Sequence, residues 1–123
     1  TPINKKISAE DVFNNIPSWI ALKQTAQTIT ATGSSQAANL TTAVTLIDAT
    51  SNTAPTSLAA ASTDGQVKTI LNASTGGTNA VAITPANFKQ GTTVTLNAPG
   101  ESVTMMYKSS FWYVIGGSGH VVA

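Results

Sequence analysis

The stretch GESVTMMYKSSFWYVIGG, Gly100 to Gly117, decides how the rest of the chain is read. It divides into two strands, ESVTMMY and FWYVIG, around a loop at Lys108, Ser109 and Ser110. Successive side chains of a strand point to opposite faces. Val103, Met105 and Tyr107 then share one face, and Met106 takes the other. Phe111, Tyr113 and Ile115 share a face, with Trp112 and Val114 opposite. A hairpin on the surface of a small monomer alternates apolar with polar. This one is apolar on both sides, so its second face needs a cover.

Working back towards the N-terminus, short strands and turns alternate. Pro99-Gly100 matches the central pair of a type II turn. TTVTLN is a strand with Val94 and Leu96 on one face, and TPANFKQG is a loop with Phe88 as a candidate for burial. AVAIT and GQVKTILN are strands separated by the turn STGGTN, and Asp64-Gly65 is a further turn signal. QTITAT and AVTLID are rich in β-branched residues that suit a pleated surface. Val44, Leu46 and Ile47 are core candidates there. GSSQAAN and ATSNTAPTSLAAAS read as loops. Six or seven short strands at this spacing predict an all-β domain over residues 25–123, a small antiparallel sandwich or jelly-roll-like barrel.

Residues 1–24 differ. They hold three of the six lysines and two of the five acids. SAEDVFNNIP reads as one short helix, with Ser8 as N-cap, Glu10 and Asp11 in the first turn, and Pro17 as its stop. Val12, Phe13 and Ile16 form its apolar side, and Trp19 and Ile20 follow. A helix this short is marginal alone in water, so it must dock. The segment is read as a helical arm, packed on its own domain or reaching a neighbouring subunit or another protein. TPINKK reads as a start left by removal of an initiator Met.

Composition narrows the function. Charged residues make up 9% of the chain against a hydrophobic 41%, where an ordinary soluble domain carries roughly 25% charged residues. Such a surface disperses a free monomer poorly and suits a subunit packed among others. The net charge is +1, with lysines and no arginine. A nucleic-acid partner is not expected, because basic patches and bidentate Arg contacts are what such partners need. There is no cysteine, hence no disulfide and no thiolate metal site. No apolar run approaches the roughly 18 residues of a membrane span, and the lysines near Thr1 have no apolar core after them, so that stretch does not read as a secretory signal.

Residues that could carry chemistry are few. His120 is the only histidine, without a partner nearby in sequence for a metal or a general base. Asp48, Asp64 and Glu101 are scattered. GGSG at 116–119 lacks the Lys-Ser/Thr of a phosphate loop. Phe111, Trp112 and Tyr113 could form an aromatic sugar platform, although packing in a core or interface suits them better. Neither an enzyme, a cofactor nor a metal is expected.

The run from Asp64 to Gly119 carries a resemblance. DGQVKTI, the ITP-x-x-F loop at Ile83–Phe88, the G-x-T-V-T-L strand at Gly91–Leu96, GESV at Gly100–Val103, and W-Y-V-x-G-G at Trp112–Gly117 resemble a β-structured module of tailed-bacteriophage structural proteins. That group includes capsid decoration (cement) proteins and tail-fibre or spike proteins. The resemblance implies a virion structural protein on the capsid surface, a homotrimer, with the major capsid protein as partner. It implies that Met106, Trp112 and Val114 lie at the subunit interface while Val103, Met105, Tyr113 and Ile115 fill the core, or the reverse assignment of these two sets. Val12, Phe13, Ile16, Trp19 and Ile20 would contact the capsid or a neighbour. The other expectation is a tail-fibre module that binds a host receptor or glycan.

Overall fold

The computed structural model describes residues 8–9, 26–50, 53–77 and 79–123. Ten strands run through them: β1 (Gln27–Ala31), β2 (Gln36–Ala38), β3 (Val44–Ala49), β4 (Thr53–Leu58), β5 (Val67–Asn72), β6 (Ala80–Pro85), β7 (Val94–Leu96), β8 (Ser102–Lys108), β9 (Phe111–Ser118) and β10 (Val121–Val122). They form two five-stranded sheets, ordered β1-β3-β5-β8-β9 and β10-β7-β6-β4-β2. One hydrophobic core lies between them. The expected all-β, two-sheet arrangement is found. The predicted helical arm falls almost wholly outside the described residues.

The sheets are mixed, not antiparallel as expected. From β1 to β6 the chain changes sheet at every strand, so each strand lies parallel to the one two places on. Three successive windings stack in register. Thr45 sits between Gln27 and Ile70, and Thr56 sits between Gln36 and Ile83. Antiparallel pairing begins only with β7 on β6 and β8 on β5. A parallel pair needs a crossover connection, and here the crossover is a strand of the other sheet.

Two segments expected to be loops are strands. β2 and β4 are built of Gln, Ala, Thr, Ser, Pro and Leu, which carry little strand signal. Their burial nevertheless alternates, with Ala54, Thr56 and Leu58 turned inward on β4. Pro55 is tolerated in this inner strand because β2 pairs only with Thr56–Leu58. At Pro55 that side of the strand is therefore an edge, where a missing N–H costs nothing.

The expected turns are present. Glu101 N–H donates to Ala98 O at 3.2 Å, and Gly100 takes φ 90°, the left-handed position that a type II turn reserves for glycine. Phe88 is partly buried and packs on the core. Its backbone bridges to Trp112, which ties the β6–β7 connection to β9.

Candidate interaction surface

The β8–β9 hairpin sets which side chains the domain keeps and which it presents. Its turn holds two residues, Ser109 and Ser110, at φ 51° and 71°, the positive pair of a type I′ hairpin. Lys108 then pairs with Phe111, Tyr107 with Trp112, and Met106 with Tyr113. Directly opposed residues share a face. Val103, Met105, Tyr107 and Trp112 all turn inward and are buried, and Val114 packs against them. Beyond Met105–Val114 the register shifts, and Thr104 pairs with Gly116. Ile115 is the extra residue of this bulge and stands 53% exposed.

This corrects the expected division of the hairpin. Tyr113 and Ile115 were expected in the core with Val103 and Met105, yet they lie on the outward face. Of the expected interface residues, Met106 is outward, whereas Trp112 and Val114 are turned into their own domain. The physical reason is the loop length. A three-residue loop would oppose Tyr107 with Phe111, and shortening it by one residue turns all of β9 over. Val12, Phe13, Ile16, Trp19 and Ile20 lie outside the described residues.

The outward face of the β1–β9 sheet is consequently rich in apolar groups. Val67, Met106 and Tyr113 form one cross-strand row. Leu46 and Leu71 form another pair. Between these rows the Thr69 and Thr104 hydroxyls share one hydrogen bond of 2.9 Å. Val67 is 40% exposed, and Leu46, Leu71, Met106 and Tyr113 are half-buried. The charges stand at its borders. At one, Asp48 accepts from Thr75 N–H and hydroxyl. At the other, Lys108 pairs with Asp64 at 3.0 Å. Lys89 Nζ lies 4.6 Å from the centre of the Phe111 ring, a cation–π contact at the sheet edge.

The candidate chemical groups do not converge. Asp48, Asp64 and Glu101 each serve a separate loop; Glu101 accepts from Asn97 N–H. Among the described residues no three His, Cys, Asp or Glu groups could hold a metal ion. Trp112, fully buried, and Tyr113 face opposite sides of β9, so the three aromatics do not form one platform. Among the described residues no helix is long and apolar enough to cross a membrane.

Asp64 has a local task. The Lys108 side chain, then the Ser109 N–H at 2.8 Å, hold its carboxyl below the ordinary 3.8. A depressed folded-state pKa stabilises above the unfolded value and loses that contribution as pH falls through the folded one. The Ser109 amide resonance should therefore shift on acidification with a midpoint below 3.8. A midpoint at or above that value would mean the contact is absent in solution.

Sequence reasoning passed over one residue altogether. Lys68 shares its parity with Ile70 and Asn72 on β5, and all three are buried. Counting alternate positions from Ile70 would have found it. None of the family models matches the chain, and no curated protein sequence matches it.

Proposed function

We propose that the protein is a virion structural subunit, a capsid decoration (cement) protein that binds the assembled shell as a homotrimer and stabilises it. The outward face of the β1–β9 sheet carries this reading: a surface that sets Val67, Met106 and Tyr113 in one row and Leu46 and Leu71 in another, on a chain with 9% charged residues. Interface cores are depleted in charge and enriched in Met and aromatics, as this face is. The resemblance of the Asp64–Gly119 run to phage structural modules supplies the setting. Binding to the assembled shell and not to its free parts stabilises the shell by mass action. Several contacts per oligomer reinforce one another through effective concentration.

Two measurements test this. Copies of the chain in purified particles should approach those of the major capsid protein. A handful per particle would replace the decoration role with a tail-fibre or spike role. Met106→Glu should weaken self-association about tenfold or more, read by mass in solution across a dilution series, with the thermal midpoint nearly unchanged. Undiminished association would remove this face from the interface.

A further inference from the structure

Lys68 is fully buried on the inward face of β5. The one ion pair among the described residues is Asp64–Lys108, so Lys68 has no carboxylate there. Its Nζ donates to Thr42 O at 2.8 Å, to Thr42 Oγ1 at 3.1 Å and to Asn39 Oδ1 at 3.4 Å, all from the connection between β2 and β3. Met105 is its partner on β8, and the next inward side chain there, Tyr107, is the titratable group nearby on that strand. The Asn39 carboxamide oxygen is held by two further donors, Thr42 N–H at 3.1 Å and Thr42 Oγ1 at 2.8 Å. An amine therefore sits beside a carbonyl whose oxygen already faces a pair of donors.

We infer that Lys68 and Asn39 are the two halves of a self-forming isopeptide cross-link. The carbonyl carbon lies one C=O bond, about 1.2 Å, from the oxygen that Nζ already touches. Nζ attacks Asn39 Cγ, and the Thr42 N–H and hydroxyl stabilise the charge that develops on Oδ1, as donors in an oxyanion hole do. The Nζ–Cγ bond forms, the Cγ–Nδ2 bond breaks, and ammonia leaves with the proton that Nζ gives up. The proton passes from Nζ to the departing Nδ2, so a primary amine and a primary amide become a secondary amide and ammonia. No oxidant or cofactor enters the balance. The product ties the β2–β3 connection to β5 across 29 residues and restricts the unfolded chain.

Desolvation lowers the Lys68 amine from 10.5 to about 8, and a desolvated lysine is an activated nucleophile. The neutral amine is the reactive form. The rate of linking should rise about tenfold per pH unit up to about 8 and then level off.

The test is the intact mass of the full chain, followed after purification at several pH values. The expected result is a species lighter by one ammonia, which yields a branched peptide joining the Asn39 and Lys68 fragments. Thr42→Val should slow its formation at least tenfold, and Thr42→Ser should restore it. Two results overturn the inference. One is folded protein that keeps its full mass after long incubation at pH 9. The other is the same mass loss with only linear peptides, which marks a succinimide at an asparagine.

Discussion

Trp112→Ala is expected to destabilise the monomer by about 3–5 kcal/mol, a large part of the 5–15 kcal/mol that holds an ordinary domain. The ring is fully buried and meets Tyr107 edge to face, with centroids 5.2 Å apart and planes at 63°. Its Nε1–H donates to Ala59 O at 2.9 Å, which fastens the chain beyond β4 to β9. Alanine removes the ring, leaves a cavity and orphans that carbonyl. The thermal midpoint should fall on the order of 10–20 °C. Trp112→Phe should fall between the two, because it keeps most of the volume and loses the hydrogen bond. A midpoint unchanged by Trp112→Ala, with loss of oligomers only, would return this residue to the subunit interface.

The second large effect is expected at Asn72, the last residue of β5. It is fully buried and every polar atom of its side chain is used. Nδ2 donates to Asn79 O at 2.8 Å and to Leu96 O at 3.2 Å; Oδ1 accepts from Ser74 N–H at 3.1 Å and Ser74 hydroxyl at 2.6 Å. One carboxamide thus joins the first sheet to β7 of the second and fixes the connection that follows it. Asn72→Ala strands two acceptors and two donors. The expected loss is about 2–4 kcal/mol, since each orphaned buried group costs about 1–3 kcal/mol and some regain water. Denaturant unfolding should show a lower midpoint at unchanged slope. A loss below about 1 kcal/mol would mean that water replaces the amide fully.

The strands rich in β-branched residues were legible, because Val, Ile and Thr in alternation leave a pleated strand as the simplest way to bury one side. VKTILN, AVAIT and the two strands of the β8–β9 hairpin were all placed correctly as strands. β2 and β4 were not, because Ala, Ser, Thr and Pro pack inward only when a stacked neighbour shapes the space for them. The faces of β9 depended on one residue of loop length, and two serines carry no signal for the positive φ they adopt. The parallel pairing was invisible for a more general reason. Alternation says which side of a strand is buried and says nothing of which strand lies beside it. Lys68 was hidden by its type, since a charged residue on a buried face is read as outward until its parity is counted.

The winding of β1 to β6 also governs how the chain reaches its fold. No two strands consecutive in that half can close into a hairpin, because each lies in the opposite sheet from the next. The pairings available locally are β6 with β7 and β8 with β9. Loop-closure entropy must be met before distant contacts reward it, so such topologies fold slowly. During synthesis β1 to β5 emerge before β8, the strand that pairs with β5 on its far side, and these Thr- and Ala-rich strands spend that interval without it.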